Sequence, residues 1–187
     1  MRPACALLLA LLPTAGFVGL AASAGFGGSA AYAAGAAPIG APLARDGVEI
    51  VPGTETGVQF DRVPTSLAPD SIFLTADVHA TKDNAHGFTG FIPYLSISYT
   101  LTKDGAPTFK KSGLLYPIAG KSGPRYMGAT AMEGPGTYHL TYIVSPPSAH
   151  GMYRQTGKEN GVPDWWKPIT ASWIFTYPIS PNLVSAK

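Results

Sequence analysis

Histidine is the side chain that most often binds a transition metal or transfers a proton near neutral pH, and this chain contains four histidines. His79 ends a run of alternating apolar and polar residues, the pattern of a half-buried strand. Because strand side chains repeat with period two, Asp77 shares the face of His79, and its carboxylate is suited to orient the imidazole. His86 and His150 lie in predicted loops and reach His79 only if the irregular segment Ser148–Pro168 folds back over it. His79 is therefore either a metal ligand or a structural residue at the end of a strand.

The sequence offers no other recognisable chemistry. It has no Ser-His-Asp order, no cysteine nucleophile, no phosphate-binding loop and no dinucleotide fingerprint. Only 13% of the residues are charged and the net charge is +2, which is too small to indicate a nucleic-acid surface. We therefore expect neither an enzyme nor a nucleic-acid-binding protein, and no small-molecule substrate.

The stretch Ser71–Leu101 contains the elements that must position His79. Its two ends alternate between apolar and polar residues, and its middle is a polar connection rich in turn residues. The connection is too long for a two-residue hairpin and too short for a helical crossover. The pattern predicts two antiparallel strands at the centre of a β-domain, with His79 at the end of the first.

The rest of the chain also favours short strands. The 22 glycines and 18 prolines punctuate it, and no convincing amphipathic helix is visible. A first short strand near Val48 and Ile50 is expected to end at a Pro52-Gly53 turn. Further strands are expected at Thr108–Ile118, Tyr126–Met132, Thr137–Val144 and Ile169–Tyr177. Strands at this spacing predict an all-β fold, an immunoglobulin-like antiparallel β-sandwich, although the Cys–Trp–Cys signature of antibody domains is absent.

The first 33 residues have the features of a secretory signal peptide. Arg2 precedes the apolar run Ala4–Leu12, and Ala-Tyr-Ala at 31–33 is a suitable cleavage site. We expect a flexible Ala/Gly/Pro lead-in over 34–45, the β-sandwich domain over 46–180 and a C-terminal tail over 181–187. The protein is predicted to be periplasmic or secreted. Since Cys5 lies within the signal, the domain must be stable without disulfides.

Several short runs, in one order, resemble a known family. The chain is similar to the periplasmic high-affinity iron-transport proteins, the group that includes the treponemal membrane antigen. The resemblance covers about residues 46–178 and rests on these runs: Ala76–Ala80, Gly87-Phe88, Pro93–Leu101, Gly123–Ala129, Gly134–Tyr142, Pro146-Pro147, Gly151-Met152 and Gly161–Pro168.

The resemblance implies an immunoglobulin-like sandwich that forms a homodimer and holds a copper or iron ion near the dimer interface. It implies a periplasmic partner of an inner-membrane iron permease, which carries metal and does not catalyse a conventional reaction. The family's ligands are histidines, a methionine and an acidic residue.

The resemblance transfers only part of the ligand set. His79 stands at the histidine of the family's Asp-aliphatic-His-Ala run, and Glu49 resembles the acidic residue of its first strand. Arg125 replaces the histidine of the Gly-Pro-His-Tyr run, and Phe73 replaces a further histidine. The ligands that the resemblance implies are therefore Glu49 and His79, with Arg125, His150 and Asp77 as possible neighbours.

Two functional hypotheses follow, and both are retained. In the first, the chain is a periplasmic iron- or copper-binding protein with a diverged site that assists iron uptake. In the second, Glu49 and Arg125 form an ion pair that replaces the metal, and the chain is an interaction or adaptor module of a membrane transport complex.

Overall fold

The computed structural model describes residues 36–61, 68 and 70–179, and these residues form nine β-strands and one short 3-10 turn. The turn spans Pro147–His150. Within these ranges no helix has the length and apolar character needed to cross a membrane. The strands, in chain order, are β1 (Ala36–Pro38), β2 (Leu43–Arg45), β3 (Val48–Glu55), β4 (Ser71–Ala80), β5 (Ser96–Lys103), β6 (Lys110–Gly120), β7 (Gly123–Ala131), β8 (Gly136–Ser145) and β9 (Ile169–Tyr177).

All the strand pairs are antiparallel, and the strands follow one another in the order β1-β3-β4-β7-β6-β5-β8-β9, with β2 also paired to β3. The all-β antiparallel fold predicted from the sequence is thus confirmed. The finer assignment to the immunoglobulin-like type stays a prediction.

Strand β6 connects the two halves of this curled arrangement. Its first part, 110–115, pairs with β5, and its second part, 116–120, pairs with β7. Gly128 of β7 lies where β6 passes from one half to the other, and a Cβ there would be only 2.5 Å from the carbonyl oxygen of Leu114. A glycine is therefore needed at this close approach of two backbones.

One apolar core lies between the two halves. Alternate residues of the strands point into it, and these side chains are fully or almost fully buried. The largest of them are Tyr126, Tyr138, Tyr142, Ile50, Leu74, Ile97, Leu101 and Leu140. The intervening residues of the same strands form the outer face, on which the polar side chains of β3, β4 and β7 lie.

Buried tyrosine hydroxyls fix the position of segments across this core. Tyr142 of β8 donates a hydrogen bond to the carbonyl oxygen of Thr75 in β4 at 3.1 Å, which joins the two halves directly. Tyr126 of β7 donates to the carbonyl of Ile92 at 2.9 Å and accepts from the backbone N–H of Leu95 at 3.0 Å. The connection between β4 and β5 is held by these two bonds.

The two strands of Ser71–Leu101 are present as predicted, but they are not paired with each other. Strand β4 pairs with β3 and β7, whereas β5 pairs with β6 and β8 in the other half. Their connection passes from one layer to the other. Both strands bury one face in the same core, so the alternation is the same as in a hairpin and does not reveal the crossing.

The N-terminal part of the domain is more ordered than its composition indicates. Strands β1 and β2 lie in the segment 34–45, which the sequence indicated as a flexible lead-in. The expected turn at Pro52-Gly53 is wrong, because β3 continues through it. Pro52 falls between the parts of β3 that pair with β1 and β2, and proline is tolerated at such an interruption of a ladder. The predicted domain boundaries themselves stay a prediction.

The first prediction tests the hydrogen bond from Tyr142 to Thr75, which joins the two halves of the fold. Tyr142→Phe removes the hydroxyl that reaches Thr75 and changes nothing else in the buried ring. We expect a loss of about 1 kcal/mol in the free energy of unfolding, the usual net value of a buried hydrogen bond. Urea unfolding followed by circular dichroism measures it. Tyr153→Phe is the matched control, because the Tyr153 side chain is 95% exposed, and an equal loss in both variants would contradict the assignment.

Candidate metal centre

The pairing of β3 with β4 places Glu49 directly opposite His79. Their neighbours Val48 and Val78 are completely buried in the core, so Glu49 and His79 point to the outer face of the sheet. Directly opposite residues of an antiparallel pair have Cβ atoms about 4.5–5.5 Å apart. The structure thus brings together the two side chains that the sequence predicts as ligands.

His79 is flanked on its other side by the connection between β4 and β5. Phe91 forms an isolated antiparallel bridge with His79, and its ring meets the imidazole edge-on with centroids 6.5 Å apart. The backbone N–H of Ala80 donates to the carbonyl of Gly90 at 2.8 Å, and that of Ile92 donates to the carbonyl of Val78 at 3.0 Å. His79 therefore lies in a defined slot between β3 and this short bridge, not at a free strand end.

Asp77 lies two residues before His79 on the same face, as predicted, and opposite Val51. Burial raises the pKa of the Asp77 carboxyl above its usual range, and the positive charges of His79 and Arg125 partly oppose this increase. Asp77 is thus an electrostatic neighbour of the imidazole and of Arg125 on the same face.

Arg125 does not pair with Glu49, which corrects the ion pair considered for the second hypothesis. The Nη2 atom of Arg125 lies 3.1 Å from Oε2 of Glu55, at the far end of β3. The two side chains are only 10% and 8% exposed. The contact is ionic and lacks the alignment of a hydrogen bond, since Glu55 Oε2 and Arg125 Nε find no hydrogen-bond partner. In the part of the chain that the structure describes, Glu49 has no ion-pair partner.

Glu55 is the residue of this region that the sequence reasoning missed. Glu49 and Glu55 lie six residues apart on one continuous strand, so period-two alternation puts both on the outer face. Reading Pro52-Gly53 as a turn hid this relation. A continuous β3 would have identified Glu55 as a possible partner for Arg125.

The other histidines do not complete the site. His86 packs against two tryptophans, with its ring stacked on Trp165 at 5.8 Å and edge-on to Trp166 at 5.0 Å. His150 ends the 3-10 turn and is exposed. No group of three or more His, Cys, Asp or Glu side chains is arranged to hold a metal ion within residues 36–61, 68 and 70–179.

Two methionines have other environments. Met132 is part of the apolar core. Met127 is buried on the outer face opposite Thr75, two residues from Arg125. The carboxylates of Glu49 and Asp77 share the outer face with His79, and imidazole with carboxylate suits Cu(II) and iron better than Cu(I).

A family model described as Fe2+ transport protein matches residues 34–178 of the chain. A UPF0423 protein of Brucella abortus is 38% identical over 149 residues, which are 75% of this chain and 80% of that protein. The 34 kDa membrane antigen of Treponema pallidum is 30% identical over 132 residues, covering 63% of this chain and 64% of the antigen.

Solved structures show the same fold. FetP of uropathogenic Escherichia coli superposes with a TM-score of 0.71 and 36% identity, over 76% of this chain and 95% of FetP. The copper-reconstituted P19 protein of Campylobacter jejuni gives a TM-score of 0.72 and 34% identity, over 77% of this chain and 97% of P19. Both levels of identity are high enough to confirm the family resemblance found in the sequence.

The second prediction concerns the raised pKa of Asp77. For an acid whose folded pKa lies above its unfolded value near 3.8, ionisation weakens the folded state as the pH rises through that window. Below pH 3.8 both states are protonated, and the cost is absent. We therefore expect Asp77→Asn to raise the Tm at pH 7 and to have no such effect at pH 3.

Differential scanning calorimetry at both pH values measures the change. Asp70→Asn is the matched control, because Asp70 is exposed and has no ion-pair partner among the described residues. A lower Tm of Asp77→Asn at pH 7 would show instead that its attraction to Arg125 and His79 outweighs the cost of burial.

Proposed function

Since the chain belongs to the Fe2+ transport protein family, we propose that it is a periplasmic metal-binding protein that assists high-affinity iron uptake and carries an iron or copper ion on Glu49 and His79. One observation carries this proposal: β3 and β4 place a half-buried carboxylate and a half-buried imidazole opposite each other on the outer face, and Arg125, which replaces a ligand of the family, directs its charge to another carboxylate. The family is one of transport proteins, so the metal is cargo or a structural partner and no catalysed reaction is invoked.

The donor set fits a borderline metal ion that keeps other ligands. Imidazole and carboxylate bind Cu(II) and Fe(II), and Asp77 adds a third donor group, a carboxylate, or orients the ring. Two or three protein donors leave positions for water or for a second subunit. P19 and a variant of FetP have been crystallised with copper, which supports copper as a probe for this chain.

A homodimer would supply what the single chain lacks. The outer face of β6 exposes Leu114 and Tyr116, which are 47% and 64% accessible. Ile143 of β8 is exposed on the same face, and Leu114 and Ile143 pair with Ser98 of β5 from its two sides. Such a group of exposed apolar side chains marks an interaction surface. Tyr116 pairs with Met127, two residues from Arg125 on the same face, so a twofold partner covering it adjoins the proposed metal position.

The proposed cellular context follows from the signal peptide and the family. A secretory signal places the mature chain in the periplasm, where an inner-membrane iron permease is the natural recipient of the metal. This partner is proposed from the family alone.

An adaptor without metal is the second candidate, and the absence of a ligand cluster of three or more in the described ranges favours it. In that case the exposed face of β6 is the functional feature and Glu49 and His79 are surface residues. The two candidates differ in one measurable property, which is copper binding by the pair Glu49–His79.

The third prediction tests the metal pair. If the chain carries metal, the purified mature protein binds Cu(II) in calorimetric titration, and His79→Ala weakens binding by at least about tenfold, equivalent to about 1.4 kcal/mol. Arg125→His should bind at least about tenfold tighter, because it adds a ligand and removes a positive charge. Adding His79→Ala should abolish that gain.

His139→Ala is the control for copper bound elsewhere on the surface. His139 lies on β8, in the other half of the fold, and contacts Asp104. The stability of Arg125→His does not discriminate the candidates, because Glu55 loses its partner in either case. Wild-type protein that takes up no copper, with an Arg125→His variant that takes up none either, would establish the adaptor.

The fourth prediction tests the dimer. Sedimentation velocity at micromolar concentration should show a dimer for the mature protein. Leu114→Glu with Tyr116→Glu places two charges on the exposed face of β6 and should yield monomers. Tyr153→Glu, a change at a more exposed residue elsewhere, should leave the dimer intact. A wild-type monomer would contradict the proposed interface.

A further inference from the structure

The buried ion pair Arg125–Glu55 lies on the same face as the proposed metal position. The paired part of β4 and β7 ends at Ala76 opposite Tyr126, so Asp77 and Arg125 are the next residues of the two strands. On the outer face, the residue of β4 that follows Asp77 is His79, which pairs with Glu49. Asp77 and Arg125 therefore lie one outward-facing position along the strands from the pair Glu49–His79. A positive charge at Arg125 is therefore close enough to act on a cation held by Glu49 and His79.

Arginine keeps its charge at any physiological pH, and a side chain only 10% exposed is weakly screened by solvent. An uncompensated Arg125 would repel every metal ion at this edge. Charges that are close and poorly solvated interact strongly, so the compensation must come from a group that is equally buried.

Glu55 is the described carboxylate that meets these conditions. It is 8% exposed, its Oε2 atom lies 3.1 Å from Nη2 of Arg125, and it lies on the strand that carries Glu49. Compensation by Glu55 leaves Glu49 without an ion-pair partner in the described part of the chain. The two acidic residues of β3 thus have different roles: one neutralises the arginine, and the other stays available as a donor.

We propose that Glu55 is a specificity-determining residue for the metal site: by neutralising Arg125, it permits a multiply charged cation to bind at Glu49 and His79. This inference rests on the proposed metal-binding function. Glu55 touches no metal in this arrangement and acts through Arg125. Its effect is electrostatic, so it grows with the charge of the ion.

The experiment compares Cu(II) and Cu(I) binding to four proteins at low ionic strength: the wild type, Glu55→Gln, the double variant Glu55→Gln with Arg125→Met, and Asp70→Asn. Glu55→Gln should bind Cu(II) at least about tenfold more weakly, with a smaller loss for Cu(I). The double variant should return to within about threefold of the wild type, because the uncompensated charge is gone. Asp70→Asn has the same net charge change at an exposed residue just before β4, at the opposite end of the strand from His79, and should bind as the wild type does.

A loss that is equal for Cu(II) and Cu(I), or a double variant as weak as Glu55→Gln, would overturn the electrostatic role. So would a Glu55→Gln affinity within about twofold of the wild type. If Glu55→Gln does not fold, Glu55→Asp takes its place: the shorter side chain moves the carboxylate away from Arg125 Nη2 and should weaken Cu(II) binding more than Cu(I) binding, and an unchanged Cu(II) affinity overturns the inference.

The two proposals fail in different ways. A wild type that binds no copper refutes the metal-carrier function, and with it this inference. A wild type that binds copper through His79 but is insensitive to Glu55 refutes the inference alone. Thermal melts without metal separate loss of folding from loss of affinity in each variant.

Discussion

The antiparallel ladder between β3 and β4 is the constraint on which the outer face depends. Eight residue pairs, from Val48 opposite Ala80 to Glu55 opposite Phe73, set its register. Because Val48, Ile50 and Val78 are completely buried, a shift by one residue would expose them and turn Glu49 and His79 into the core. The hydrophobic core thus specifies which polar side chains face each other outside, with no contribution from a metal.

The same ladder explains why one arginine can be accommodated there. Burying a guanidinium without a partner is strongly unfavourable, and removing one partner of a buried pair typically costs about 3–5 kcal/mol. Glu55 supplies the opposite charge from the distal end of β3. A substitution of histidine by arginine at this position is therefore not a local change, because it needs a buried acid elsewhere on the sheet. Asp77, whose pKa burial raises, follows the paired part of β4 next to Arg125 in sequence register, but Glu55 is the carboxylate in contact with the guanidinium.

The sequence predicted the features that follow from local periodicity. The strands that carry His79 and the core, and the shared face of Asp77 and His79, agree with the structure. Glu49 came from the family resemblance, and its register opposite His79 was not derivable from spacing. Pairing depends on which strands become neighbours, and alternation gives the same signal for a hairpin as for a crossing between the two halves, so the partners of β4 and β5 had to come from the structure.

The errors at the N-terminus have a different cause. Pro-Gly usually ends a strand, because proline has no N–H to donate to a neighbouring strand. In β3, Val51 and Pro52 lie between the part that pairs with β2 and the part that pairs with β1, so no donor is needed there on that side. Small residues in 36–45 have low intrinsic strand preference, but pairing with β3 overrides it. Both effects are tertiary, so no window of the sequence contains them. The resulting misreading also concealed Glu55.

A site with few protein ligands has a consequence for transport. Each ligand that the protein supplies slows release, and a carrier must release its metal to the next protein. If Glu49 and His79 bind the metal as proposed, one imidazole and one carboxylate hold it less tightly than a closed cage of histidines does. Such a small ligand set is compatible with delivery of metal, whereas it would be a disadvantage for storage.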